Sequence, residues 1–128
     1  MVAVSGIIFD ATGRLLLQRH RHWVQDVWGL PGGIVKHGET LEEAFAREVF
    51  EETRLRIVNI ELIKVASNYR LRLEVYFCAA LAPDSHASDI HIQKQEILEA
   101  RFFALNELPA NLLPIQKDLI ERTASVKL

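Results

Sequence analysis

With one cysteine in 128 residues, the chain has no internal disulfide open to it. Cys78 sits in the apolar run 75–81, which reads as a core strand holding an inert thiol. That cysteine usage fits a reducing compartment. No apolar stretch approaches the ~18 residues that a membrane-crossing helix needs. Residues 1–6 lack the basic segment and cleavage-like site of a secretory signal. There is no internal repeat and no low-complexity tract. A net charge of −2 argues against a broad nucleic-acid-binding surface, while leaving room for a local basic pocket. The chain therefore reads as one soluble, cytosolic domain over residues 1–128 with a single core.

What is present is a clear alternation of elements. Residues 2–9 and 14–19 are apolar segments flanking Asp10-Ala11-Thr12-Gly13, a turn by composition, so a hairpin is predicted over 2–20. Trp28-Gly29-Leu30-Pro31-Gly32-Gly33 is expected to be a stiff glycine-rich loop outside regular structure. Residues 40–53 form the strongest helix candidate. Thr40 is a good N-cap, and Glu43 three residues later completes a capping box. Residues 57–66, 71–81 and 97–104 read as further strands, with 67–70 as a turn. Residues 82–95 read as irregular. A closing helix over 115–123 is entered through Pro114. Strands around one strong helix, plus a second helix at the end, imply an α+β fold: a mixed sheet sandwiched between helices.

The helix over 40–53 carries acids on the side expected to face the core. At about 100° per residue, Leu41, Ala44, Phe45 and Val49 form one stripe. Glu48 and Glu52 fall inside it, one turn apart, and Glu51 lies at its edge. Charged carboxylates beside apolar surface cost several kcal/mol each, on the order of a buried unpaired charge. A divalent cation with oxygen ligands offsets that cost, and Mg2+ suits carboxylates that leave it several waters. The competing reading is a solvated acidic face.

The segment upstream decides between them. Gly33, Glu39 after five residues, then Arg47-Glu48-Val49 after seven, then Glu51-Glu52 and Leu55, resembles the signature of the Nudix hydrolase family. Every specified position matches except Arg54, where the family has glycine. The motif covers residues 28–55, and the general layout covers the whole chain. The resemblance implies the Nudix fold and hydrolysis of a diphosphate, with Mg2+ as cofactor and Mn2+ as a substitute. It also implies roles for individual residues. Glu48, Glu51 and Glu52 would hold metal, aided by a carbonyl from Gly32. Arg47 would orient a catalytic glutamate through a charge-assisted hydrogen bond, as against an ordinary surface pair. Glu39 is expected to pair with Arg47 rather than to do chemistry. Glu96 would be an extra metal ligand or general base, as against a solvated loop acid, with Glu99 as a weaker alternative.

For the substrate, the resemblance points to MutT-like (d)NTP pyrophosphohydrolysis, giving a nucleoside monophosphate and pyrophosphate. Other diphosphates stay open: ADP-ribose, a dinucleoside polyphosphate, an RNA 5′ end. So does a non-catalytic Nudix module that binds a nucleotide or a protein, although the intact acid set argues against it. Arg19 could reach a terminal phosphate or simply snorkel at a strand edge. Asn111 could read a purine or cap a turn. Trp23, Trp28 and Tyr69 could stack on a base or pack internally. The family also makes a homodimer an expectation.

Overall fold

The computed structural model describes residues 1–24, 26–67 and 71–127. Among them are six strands and two helices: β1 (Val2–Phe9), β2 (Leu15–His20), β3 (Gly32–Ile34), α1 (Leu41–Thr53), β4 (Ile57–Ser67), β5 (Leu73–Leu81), β6 (Ile97–Phe103) and α2 (Pro114–Lys127). The strands make one mixed sheet in the order β4-β5-β1-β2-β6, with β3 also on β1. β1 runs parallel to β5 along its whole length, and the other pairings are antiparallel.

Strand alternation builds two cores, one on each face of the sheet. Ile7, Leu15, Leu17 and Trp28 pack with Tyr76 and Ile120 on the α2 face. Val4, Ile8 and Leu16 pack with Phe45, Val49 and Phe77 on the α1 face. Each fully buried Ile, Leu or Phe stabilises the fold by ~1.5–3 kcal/mol. The sheet is thus covered by a helix on both sides, as the sequence pattern requires. Cys78 is buried within β5, and burial pushes its thiol pKa up.

Two details depart from the sequence-based expectation. The hairpin over 2–20 is short, with Phe9↔Leu15 its registered pair. Beyond that point β1 and β2 separate. The chain 28–34 fills the gap, bridging β2 through Gln18↔Gly29 and β1 through Ala3, Val4 and Ser5. The glycine run is therefore partly regular structure, not the loop expected from its composition. Its glycines serve close approach rather than unusual φ: a Cβ on Gly32 would lie 2.0 Å from the Val4 carbonyl oxygen.

α1 starts as its capping box predicts. Thr40 Oγ1 accepts from the Glu43 N–H at 3.1 Å, and Glu43 Oε1 accepts from the Thr40 N–H at 2.9 Å. The helix ends at Arg54, in the left-handed region at φ 68°, where the family signature has glycine. The Arg54 side chain lies over the Phe50 ring, 5.1 Å from its centroid.

Candidate active site

Three successive features bring the acids together. The first is the phase of α1. Glu52 is 3% exposed and sits among the residues that anchor the helix to the sheet. Glu48, one turn earlier, has a 15% exposed side chain, and Glu51 is at the rim with 47%.

The second feature is the wedge of chain between β1 and β2. It carries the Gly32 N–H to Glu52 Oε1 at 3.3 Å, and Gln18 Nε2 donates to the same oxygen at 3.1 Å. Gln18 continues the α1-facing alternation of Leu16, which is how a polar side chain comes to be 1% exposed. Gly33 serves Glu48 differently, by leaving room for its carboxyl. A Cβ there would lie 2.3–2.6 Å from the Glu48 carboxyl atoms.

The third feature closes the end of α1. The N–H groups of His91 and Gln93 donate to the carbonyls of Thr53 and Glu52, at 2.9 and 3.1 Å. Helix ends leave such carbonyls without partners, so the loop satisfies them. In doing so it delivers Glu96. Oxygens of Glu52 and Glu96 and a ring nitrogen of His20 all lie within 4.8 Å of one another.

Arg47 organises the opposite flank. Its Nε donates to Glu39 Oε2 at 2.6 Å and its Nη2 to Glu39 Oε1 at 2.9 Å. Nη1 donates to Glu48 Oε1 at 3.0 Å and to Glu51 Oε2 at 3.2 Å, and Nη2 also reaches the Ile34 carbonyl. One guanidinium thus ties the loop, β3 and the helix acids together. The bonds from Arg47 and from the Lys36 N–H hold Glu39 down to a pKa of about 2.

The electrostatics divide accordingly. Burial, reinforced by the negative charges of Glu48 and Glu96, pushes Glu52 up to a pKa of about 8 against the opposing bonds from Gln18 and Gly32. Burial also raises Glu48, although Arg47 opposes it. Burial lowers His20, against the pull of Glu96.

A divalent cation fits this arrangement. Glu52 has neutral donors but, among the described residues, no cationic side chain or histidine in salt-bridge range, with a His20 ring nitrogen within 4.8 Å. Gln18 Oε1 and Gln93 Oε1 are buried and, among the described residues, have no hydrogen-bond partner. Both residues adjoin Glu52. Anionic and acceptor oxygens gathered this way suit an oxygen-seeking ion and its bound waters.

A cleft of about 510 Å3 is walled by Gly32, Gly33 and His20, which adjoin the acids, together with Trp23 and Tyr76. Trp23 stacks on His20, with centroids 5.2 Å apart and planes at 24°. Trp28 is core instead, edge-on to Phe103 at 4.9 Å.

Of the residues expected at the site, Arg47, Glu39, Glu48, Glu51, Glu52, Gly32 and Glu96 come together. The contact observed for Gly32 is its N–H, whereas the sequence reading assigned its carbonyl. Arg19 lies on the other face of β2 from Gln18. It pairs with Glu99 at 2.9 Å and Asp26 at 3.4 Å, above the Trp28 ring. Asn111 is exposed, and its carbonyl accepts from the Trp28 N–H at 2.8 Å. Gln116, early in α2, lines the cleft instead. Tyr69 lies outside the described residues.

The sequence reading missed Gln18 and His20. A glutamine directly after three leucines in a core strand was the available signal for the first. No sequence signal pointed to the second.

Comparison with known proteins places this geometry. The family model described as NUDIX domain matches residues 1–123. The NAD-capped RNA hydrolase NudC of Shigella flexneri is 32% identical over 116 residues, 88% of this chain and 43% of that protein. The mouse protein named nucleoside diphosphate-linked moiety X motif 6 is 29% identical over 84% of this chain and 36% of its own length. The chain therefore spans about two-fifths of the curated relatives it matches. The crystal structure of a MutT NUDIX hydrolase from Burkholderia pseudomallei superposes with a TM-score of 0.75 at 25% identity, covering 94% of this chain and 95% of that one. A NUDIX hydrolase from Nitrosomonas europaea gives 0.80 at 26%, covering 98% and 70%.

Proposed function

Because this chain belongs to the NUDIX domain family of hydrolases, we propose that it cleaves a phosphoanhydride in a free nucleotide, with a (d)NTP as the substrate. The products are a nucleoside monophosphate and pyrophosphate. The observation that carries this reading is the buried Glu52 carboxyl, clustered with Glu96 and His20 and hydrogen-bonded to Gly32, where His20 and Gly32 in turn line a nucleotide-sized cleft.

Glu48, Glu52 and Glu96, with Glu51 at the rim, are the oxygen donors that would hold Mg2+ or Mn2+. Such an ion neutralises diphosphate oxygens and acidifies a bound water. The rest falls to the protein. Arg47 fixes the Glu48 and Glu51 carboxylates through charge-assisted bonds, so neither must reorganise as substrate arrives. Gln18 and Gly32 fix Glu52. A carboxylate of this group accepts the proton of the attacking water. The cleft walls supply Trp23 and Tyr76 as apolar surface for a base.

Two observations favour a free nucleotide over an RNA end. The cleft volume of about 510 Å3 matches a small-molecule site. The net charge of −2 gives no general attraction for a polynucleotide. A second reading, cleavage of the diphosphate in an NAD moiety, is favoured by the 32% identity to a protein named as an NAD-capped RNA hydrolase.

A panel of nucleoside triphosphates, nucleotide sugars, NAD and dinucleoside polyphosphates, assayed with Mg2+ for pyrophosphate release and, by chromatography, for mononucleotide products, tests both readings. Pyrophosphate from a triphosphate supports the first. Mononucleotides from NAD alone would move the assignment to the second, and no turnover of any member would remove both.

A further inference from the structure

His20 is the one non-acidic member of the cluster with Glu52 and Glu96, and its placement is specific. The β2–β6 register slips between Arg19 and His20: Arg19 faces Glu99, but His20 faces Ile97. Such a bulge redirects the side chain that follows it. The redirected ring is then held twice, by stacking on Trp23 and by the His22 N–H donating to Nδ1 at 3.2 Å.

The second contact fixes the tautomer. A neutral imidazole that accepts at Nδ1 carries its proton on Nε2. Nε2 stands 3.9 Å from Glu96 Oε2, about 1 Å beyond hydrogen-bond length, a gap that a small rotation of the exposed Glu96 side chain would close. A nitrogen bearing hydrogen offers no lone pair to a metal, so the ring is built to donate toward Glu96 rather than to ligate.

Glu96 needs such a partner. Its backbone is anchored, because its carbonyl accepts from the Arg21 N–H at 2.6 Å and the Arg21 guanidinium grips the Lys94 carbonyl. Its side chain is 49% exposed, and a long exposed side chain loses rotamer freedom when it is recruited to a site. Glu52 has Gln18 and Gly32, and Glu48 has Arg47. Among the described residues, His20 is the side chain whose nitrogen lies within 4 Å of the Glu96 carboxylate.

We propose that His20 is a positioning residue whose Nε2–H closes onto the Glu96 carboxylate by a small rotation of that side chain, and so fixes the orientation that binds a divalent ion. This rests on the reading of Glu96 as a metal ligand given above. Outer partners of metal ligands commonly change metal affinity by about 10–100-fold when removed.

The test uses Mn2+ as the probe, with binding measured by calorimetry and the bound ion examined by pulsed electron paramagnetic resonance. His20→Gln keeps a donor at the position of Nε2. His20→Asn keeps a polar group at the position of Nδ1 but does not reach Glu96. His20→Leu removes both. The expected result is Mn2+ affinity within about threefold of wild type for His20→Gln, and about tenfold or more weaker for His20→Asn and His20→Leu. Wild-type Mn2+ should show no directly coordinated nitrogen. Should His20→Leu not fold, the His20→Asn and His20→Gln pair carries the same comparison. Unchanged affinity in His20→Asn, or a coordinated-nitrogen signal lost in His20→Gln, overturns the proposal. Glu52→Gln separates the two levels. If it weakens Mn2+ binding while His20→Asn does not, the role of His20 alone fails. If wild type and Glu52→Gln bind Mn2+ equally, the metal reading fails with it.

Discussion

The Arg47 guanidinium and the Glu39 carboxylate meet in a two-point pair, Nε to Oε2 at 2.6 Å and Nη2 to Oε1 at 2.9 Å, that joins the loop before α1 to the helix itself. The same guanidinium spends Nη1 on Glu48 and Glu51. Glu39 therefore acts on the acids at one remove. Glu39→Gln keeps the shape but replaces an ionic partner with a neutral one, and it is expected to lower kcat by about tenfold, as for an outer partner of a functional group. Comparing kcat for Glu39→Gln and Glu52→Gln checks this. An equal loss in both would place Glu39 in the chemistry itself.

Gly33 gives a sharper test of placement. Its missing side chain makes room for the Glu48 carboxyl, and a methyl group there would stand 2.3–2.6 Å from those atoms. Gly33→Ala should therefore displace Glu48, cutting activity and Mg2+ affinity by about tenfold or more with little change in fold. Wild-type activity in this variant would show that Glu48 has another productive position.

The pH dependence of stability follows from Glu52. Its pKa in the folded, metal-free protein is about 8, against an ordinary value of 4.5. Between those two values the folded state retains a proton that the unfolded chain has released, so stability is full below about pH 4.5 and falls as pH rises toward 8. Glu48 is shifted in the same direction. With a chelator present, thermal unfolding should drop in midpoint from pH 5 to pH 8, and Glu52→Gln should flatten most of that drop. A divalent ion should restore more stability at pH 8 than at pH 5, since it competes with the proton. An equal slope in wild type and Glu52→Gln would remove Glu52 as its source.

Arg54 occupies a left-handed position at φ 68°. Glycine there relieves about 1 kcal/mol of backbone strain, offset in part by the lost contact with Phe50. Arg54→Gly should raise stability slightly, by about 1 kcal/mol or less, with activity intact. A clear loss in denaturant unfolding would show that the Phe50 contact dominates.

Much of this site was legible in the sequence because helical phase is rigid. Once residues 40–53 are a helix, Glu48 and Glu52 must share a face with Phe45 and Val49. The Thr40–Glu43 box follows from an equally local rule, whereas Arg54 in place of glycine obscured the left-handed exit. The glycine run was misjudged for the converse reason. Its strand character comes from β1 and β2 parting company, a tertiary event that local composition does not encode. His20 stayed hidden because a bulge, not the pattern of the strand, aims it. Arg19 is the opposite case, since regular strand alternation before the bulge places it with Glu99 and Trp28, away from Gln18.

The most direct measurement compares wild type and Glu52→Gln for Mg2+-dependent release of pyrophosphate from nucleoside triphosphates, with fold confirmed by circular dichroism. The account predicts turnover that vanishes with chelator and falls at least about 100-fold in Glu52→Gln, the scale of a key electrostatic group. Turnover indifferent to chelator, or near wild type in the folded Glu52→Gln protein, would contradict it.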